Sequence, residues 1–243
     1  MVFELEEKLY LVFHLMIAGR FLWRNKEAKI PPKIGLAAFD FPEGTLVLTE
    51  AGTKRRASLH VIRGEHSLEK FDRGGLEIYE SDLKSFSRAI TRENHTVKRA
   101  LTDPRIISGI GNTYSDEILH RSRLSPYKYT SNLTDDEIGR LYSACRKILE
   151  KWTGIIREET GNGFPEKVTA FRKGMAVHGR YGSACPVCGV PVQRIVYTEN
   201  ESNYCPGCQT GGRILADRAL SRLLKGDWPK TLKELEEKQI NEI

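Results

Sequence analysis

The chain has 243 residues, 40% hydrophobic and 29% charged, a balance that excludes wholesale disorder and suits one or two domains with a small appended module. Lysine and arginine number 38 against 32 for aspartate and glutamate, a net charge of +6 that fits a polyanionic partner, although many basic proteins bind no nucleic acid. The longest apolar run, Leu9 to Ala18, is interrupted by His14 and falls far short of the roughly 20 residues that span a bilayer. No basic-then-apolar leader opens the chain, so a soluble cytoplasmic protein is expected, with no membrane partner.

The first 65 or so residues read as β structure. Val2 to Glu6 and Leu9 to Leu15 flank the polar Glu7-Lys8, a hairpin signal, and Leu9, Leu11, Phe13 and Leu15 keep the two-residue period of a strand. Leu36 to Phe41, Thr45 to Thr49 and Ser58 to Ile62 are further strands, the first two joined by Pro42-Glu43-Gly44. Arg73-Gly74-Gly75 looks like a hinge, and beyond it the pattern turns helical. Ser81 is placed to cap a helix with Leu83, Phe86 and Ile90 inward; Val97 to Leu101 is a short second helix. Asn112 is placed to cap a third, which Pro126 stops. The clearest helix runs from Asp135 to about Glu159, opened by a Thr134/Glu137 capping box. Its apolar stripe includes Leu141, Cys145, Ile148 and Trp152, so Cys145 is expected to be a buried small hydrophobe rather than a nucleophile. Gly161 to Arg180 reads as a linker or mobile loop, and Arg213 to Leu224 as a short basic helix before a polar tail.

Four of the five cysteines form Cys185-Pro-Val-Cys188 and, sixteen residues later, Cys205-Pro-Gly-Cys208. Two intervening residues let both thiolates of a tight turn face one ion, and two such turns complete a tetrahedron, so the pattern looks like a structural Zn2+ site. Two disulfides are the other reading, but nothing else in the sequence suggests an oxidising compartment. Arg194 to Tyr197 and Asn203-Tyr204 are the expected arms of a hairpin within this module.

Between two helices lies Ile107-Ser108-Gly109-Ile110-Gly111-Asn112-Thr113-Tyr114. Glycines at alternate positions permit a sharp turn and leave backbone N–H groups uncovered before a helix N-terminus, an arrangement suited to a phosphate, and Asn112 adds an amide donor. Alone, the motif could equally be a plain turn with an asparagine cap.

The run Gly-Ile-Gly-Asn-Thr-Tyr-Ser-Asp-Glu-Ile-Leu, followed by the four-cysteine module, resembles the formamidopyrimidine-DNA glycosylase and endonuclease VIII family. His14-Leu15-Met16-Ile17-Ala18-Gly19-Arg20 is similar to that family's His-Leu-Gly-Met-Ser-Gly-Arg stretch. The resemblance covers nearly the whole chain. It implies an α+β fold, with a partial β-sandwich over 1–73, a helix–two-turn–helix domain over 74–165, a loop and zinc finger over 166–212, and an extension over 213–243. It also implies a monomer that binds double-stranded DNA carrying a damaged base or abasic site, flips the damaged nucleotide out and excises its base, then cleaves the strand. Carried over by residue, Asn112 matches a phosphate-contacting asparagine, Gly109 and Gly111 its turn, and His14 a strand histidine near the phosphates. Glu117 matches a helix glutamate near the active site; a first-turn carboxylate on the helix dipole is its plainer role.

Other positions depart from the family. Its gap-filling methionine falls on Ile17, and its arginine facing the orphaned base on Arg55, within Thr53 to Ser58; Ala57 replaces a phenylalanine and cannot wedge base pairs apart. Lys54, Arg55 and Arg56 could equally be a solvated charge run. A finger arginine that reaches phosphate becomes Asn200, leaving Arg194, Arg213 or Arg218 to supply the charge. The chain begins Met1-Val2-Phe3 where the family has a catalytic proline, a glutamate and, further on, a lysine, so no catalytic residue is assigned and the start is expected to be misplaced or truncated. The amine of Val2 is a weak substitute for the family nucleophile. The leading expectation is a bifunctional glycosylase and lyase of base-excision repair. The alternatives are a non-catalytic relative that binds damaged or bent DNA, and a zinc-ribbon module that binds proteins.

Overall fold

The computed structural model describes residues 1–165, 169–196, 201–216, 222–223 and 228–241. Its N-terminal region holds two three-stranded antiparallel sheets. In the first, β1 (Val2–Leu5), β2 (Leu9–His14) and β6 (Ser58–Arg63) lie with β2 in the middle. In the second, β5 (Gly44–Glu50) lies between β3 (Gly19–Arg24) and β4 (Gly35–Phe41). The sheets pack through Phe13 from one and Phe21, Leu46 and Leu48 from the other. Phe13 meets Phe21 and Phe39 edge-on, at centroid separations of 5.0 and 5.6 Å. This is a small sandwich. One apolar side of it remains open, as a cleft of about 820 Å³ lined by Phe3, Leu11, Trp23, Phe39 and Phe164.

The expected hairpin and strands all form, and β3 joins them, a strand that the sequence reading did not separate from the His14–Arg20 stretch. The simple alternation along β2 is only partly kept, because Tyr10 and Val12 are buried as well as Phe13. The turn from β2 to β3 demands Gly19, where a Cβ would sit 2.3 Å from the Leu15 carbonyl oxygen.

The helical region follows: α1 (Leu83–Thr91), α2 (Val97–Thr102), α3 (Asn112–Ser122) and α4 (Asp135–Thr160). Phe86, Leu101, Ile118, Leu141, Cys145 and Trp152 are among its fully buried side chains. Burial pushes the Cys145 thiol far above its ordinary pKa, which makes it inert. The capping box of α4 forms: Thr134 N–H donates to Glu137 at 2.9 Å, and Glu137 N–H donates to the Thr134 hydroxyl at 3.3 Å. Two expected caps shift by one residue. Asp82, not Ser81, caps α1 by accepting from Ser85 N–H, because Ser81 turns back onto the Ile78 carbonyl. Gly111, not Asn112, is the cap of α3, and Asn112 is its first helical residue.

The module after α4 contains β7 (Gln193–Val196) paired with β8 (Glu201–Tyr204), then the short α5 (Pro206–Gln209). Half of the expected basic helix over 213–224 lies outside the described residues; within them, Arg213 bridges Thr231 and 222–223 are helical. The tail forms α6 (Leu232–Asn241). Contacts divide the chain into Met1–Asp72 with Ile156–Thr169, and Arg73–Ile155 with Ala170–Ile243. Among the described residues no helix is long and apolar enough to cross a membrane.

Candidate nucleic-acid interface and metal centre

Gly109 has φ +77, the left-handed region that favours glycine, and Gly111 is extended. A Cβ at either position would meet nothing within 4 Å, so the surface of the turn is open. The first-turn N–H groups of α3 have no carbonyl partner inside the helix and face outward from its positive end. Beside the turn is a cleft of about 620 Å³ lined by Thr96, Lys98, Arg99, Gly111, Asn112 and Tyr127. Two cations, a helix start and exposed glycine backbone thus share one concavity. The Asn112 side chain is already engaged: its amide donates to the Glu201 carbonyl on β8 at 2.8 Å, leaving a second N–H on the same nitrogen.

One turn along α3, Asp116 is wholly buried. Its Oδ1 accepts from Lys98 Nζ at 2.5 Å and from the Ser202 hydroxyl at 3.1 Å. Its Oδ2 accepts from His178 Nδ1 at 2.8 Å and from Asn203 N–H at 3.1 Å. Burial lowers the Lys98 pKa and the Asp116 carboxylate pulls it back up. The carboxylate draws a proton of the His178 ring to Nδ1, and Nε2 lies 3.2 Å from the Thr113 hydroxyl. Lys98 Nζ also donates to the Asn112 carbonyl at 3.0 Å, tying the cleft lysine to the turn itself.

Glu117, also buried, accepts from the backbone N–H groups of Ala176, Val177 and His178 at 2.8, 2.9 and 3.0 Å. It is a loop anchor. The expectation of a mobile loop through Arg180 therefore fails at its C-terminal end, where Met175 and Val177 are buried and Glu117 holds the backbone. The described part of 161–180 carries no helix or strand beyond the end of α4.

The finger hairpin is fastened to α3 through these contacts. Its cysteines converge: Cys185 and Cys208 sulfurs are 3.9 Å apart, and Cys188 and Cys205 sulfurs 3.3 Å apart. A tetrahedral ion with Zn–S bonds of about 2.3 Å needs S···S edges of about 3.8 Å, which the Cys185–Cys208 pair matches; ligand atoms of His120, Cys185, Cys205 and Cys208 all lie within 4.8 Å of one another, and the close Cys188–Cys205 pair brings the fourth thiol to the same cluster. Gly189 follows the first pair with φ +77, as a knuckle turn requires. His120 Nε2 lies 3.3 Å from Cys185 Sγ.

The remaining expected residues are in the sandwich. His14 ends β2, exposed, opposite Ser58, and Ile17 is 74% exposed on the following turn. Arg55 is exposed on the β5–β6 loop and donates to the Lys33 carbonyl at 2.5 Å. Glu50 fastens that loop by accepting from Arg56 and Ala57 N–H at 2.9 and 3.0 Å, and the Arg56 contact above all holds its pKa below the ordinary carboxylate value. Asn200 and Arg218 lie outside the described residues. Arg194 pairs with Glu201 at 3.3 Å and stacks on Tyr181, while Arg213 donates to the Thr210 carbonyl at 3.5 Å.

The sequence reading missed Lys98, His178, Ser202 and Glu50. No local signal marked them: adjacent acids such as Asp116-Glu117 are often both solvated, as Asp135-Asp136 and Glu158-Glu159 of α4 are.

The family model described as formamidopyrimidine-DNA glycosylase H2TH domain matches residues 77–162. An uncharacterized formamidopyrimidine-DNA glycosylase-like protein of Mycobacterium tuberculosis is 41% identical over 129 residues, covering 53% of this chain and 80% of that protein. The formamidopyrimidine-DNA glycosylase of Desulfitobacterium hafniense is 29% identical over 86% of this chain and 78% of its own. The match to the Thermus thermophilus formamidopyrimidine-DNA glycosylase spans only 49% of that protein, at 37% identity. Among solved structures, Lactococcus lactis Fpg bound to abasic-site DNA aligns with TM-score 0.72 at 24% identity, over 86% of this chain and 78% of that one, a likeness of fold.

Proposed function

The chain belongs to the formamidopyrimidine-DNA glycosylase family, and from that premise we propose that it binds duplex DNA at damaged bases and abasic sites, in base-excision repair. The observation that carries the reading is the cleft at the start of α3. There Gly111, Asn112, Lys98 and Arg99 offer backbone and side-chain donors to a phosphate, and α3 itself is bonded to the finger hairpin. Such a site reads backbone charge and shape, not sequence, and suits a protein that searches any duplex for a lesion. His14, Ile17 and Arg55 are the candidate residues of the sandwich: a phosphate contact, an apolar filler of the gap left by the flipped base, and a reader of the opposite base. Asn200 is kept as a finger contact.

The four thiolates of Cys185, Cys188, Cys205 and Cys208 would hold one structural Zn2+, leaving no open position for catalytic water. The ion would fix the hairpin that α3 grips.

Glycosylase and lyase chemistry needs an amine at C1′ of the flipped sugar. The Met1 amine donates to the Phe13 carbonyl at 2.9 Å, beside the β1–β2 pairing. Effective molarity at the sugar depends on placement, and an amine held in a sheet is badly placed. We therefore propose that residues 1–243 bind damaged duplex DNA, and that the Met1 amine, held in the sheet, does not act as the nucleophile. Borohydride trapping on duplexes with an oxidised purine or an abasic site tests this. The chain should bind an abasic duplex with affinity that falls as salt rises and should give no product trapped through its Met1 amine. Trapping that is lost on blocking that amine would overturn the assignment.

A further inference from the structure

α3 meets the finger at one face, four residues apart each time. Asn112 reaches Glu201, Asp116 reaches Ser202 and Asn203, and His120 reaches Cys185. The first two contacts hold the hairpin. The third touches the metal centre. His120 is 6% exposed, and its Nε2 lies 3.3 Å from a sulfur that is 65 residues away in sequence. Four thiolates around a divalent ion carry a net charge of −2, and Cys185 and Cys205 are buried. Charge in that setting needs donors aimed at sulfur. The backbone supplies some: Val187 N–H donates to Cys185 Sγ at 3.5 Å, and Cys208 N–H to Cys205 Sγ at 3.4 Å.

We propose that His120 is a positioning residue for the metal site, donating its Nε2–H to the Cys185 thiolate and so coupling the last turn of the DNA-binding helix to the zinc-bound state of the finger. The proposal rests on the zinc reading above. His120 competes with Cys188 on distance alone, since its nitrogen and the Cys185, Cys205 and Cys208 sulfurs all lie within 4.8 Å of one another. Two observations give the fourth corner to Cys188. Its sulfur is 3.3 Å from Cys205 Sγ, and the bare Gly207 makes room for it, since a Cβ there would come within 3.1 Å of that sulfur. His120 is then the donor outside the tetrahedron.

The test uses the full chain, purified with zinc, as parent, His120→Phe and His120→Gln. Zinc per chain, the rate of zinc transfer to a chelating dye, and the visible spectrum after Co2+ exchange are measured for each. The parent and both variants should bind one metal with the same four-sulfur Co2+ spectrum. His120→Phe should release zinc on the order of 10- to 100-fold faster, the usual cost of losing such a partner, with His120→Gln in between because its amide still donates. Release from His120→Phe at the parent's rate would overturn the role, as would a parent spectrum that loses a nitrogen ligand in His120→Phe. If His120→Phe fails to fold by circular dichroism, the His120→Gln rate decides alone: faster release supports the proposal and an unchanged rate overturns it. A parent free of metal would remove the zinc reading itself, a result distinct from a loaded parent with indifferent variants.

Discussion

Asp116, in the helical unit, is wholly buried and accepts from Lys98, His178, Ser202 and Asn203. Arg55, in the sandwich, is exposed and donates to the Lys33 carbonyl. The first region builds its interface from the inside, so the residues that would shape phosphate binding also hold the fold. The second presents Ile17 and Arg55 on a turn and a loop and His14 at a strand end, where they can change with little cost to stability. Substitutions in the first should therefore mix folding with binding, and substitutions in the second should separate them.

The largest effect is expected at the metal. Structural zinc contributes on the order of 10–16 kcal/mol in isolated finger peptides, and a serine forfeits much of that. Cys205→Ser should leave well under one zinc per chain by elemental analysis and weaken abasic-duplex binding roughly tenfold or more. Normal zinc content in this variant would show that Cys205 is not a ligand.

Next comes Asp116→Ala. It strands Lys98 and His178 without their carboxylate, and breaking a buried pair by removing one partner costs about 3–5 kcal/mol. The urea midpoint should drop accordingly, and Asp116→Asn, which keeps the shape, should drop less. A midpoint unchanged in Asp116→Ala would mean that the network contributes no net stability.

Asn112→Ala sits on the border between the two behaviours. It removes a donor to a charged phosphate, worth on the order of 1.5–3 kcal/mol, or roughly ten- to a hundredfold in Kd. It also removes the bond to the Glu201 carbonyl. Binding should weaken by that factor while zinc content holds. Tight binding of abasic duplex by Asn112→Ala would make the turn structural only.

What could be read in advance follows the same division by distance along the chain. The Cys-x-x-Cys pairs, the Thr134/Glu137 box and the β1–β2 hairpin are local patterns, each complete within a few residues apart from the spacing of the two knuckles. The buried network is not local: His178 and Asn203 reach Asp116 across 62 and 87 residues, and Asn112 reaches Glu201 across 89. Nothing in the period of a helix says which distant segment will lie on it. Asn112 was expected both as a phosphate contact and as a cap; the cap is Gly111, and the Asn112 amide reaches the Glu201 carbonyl, a tertiary partner that no local pattern names. His120 stands in the last turn of α3, where a helix-end cation is its plain local role, and the nearby sulfur comes from a segment 65 residues away.

The smallest expected effect concerns the loop that presents Arg55. The Glu50 carboxylate, as an anion, accepts from Arg56 and Ala57 N–H, and its folded pKa lies below the ordinary 4.5. A depressed carboxylate stabilises the folded state fully above its unfolded pKa and loses that contribution as pH falls through the folded value. The loop should thus be firm at neutral pH and loosen only below about 4.5, the ordinary value cited for the group. Zinc thiolates also protonate in acid, so whole-molecule unfolding is the wrong readout. Hydrogen exchange at the Arg56 and Ala57 amides, compared with amides of α4, isolates the loop. Protection at those two amides should fall with acid before that of α4, and Glu50→Gln should start low and show little pH dependence. At neutral pH, Arg55→Ala should reduce the salt slope of DNA binding by about one and leave the urea midpoint near the parent's. A large drop in that midpoint would place Arg55 among the residues that hold the fold and erase the contrast between the two units.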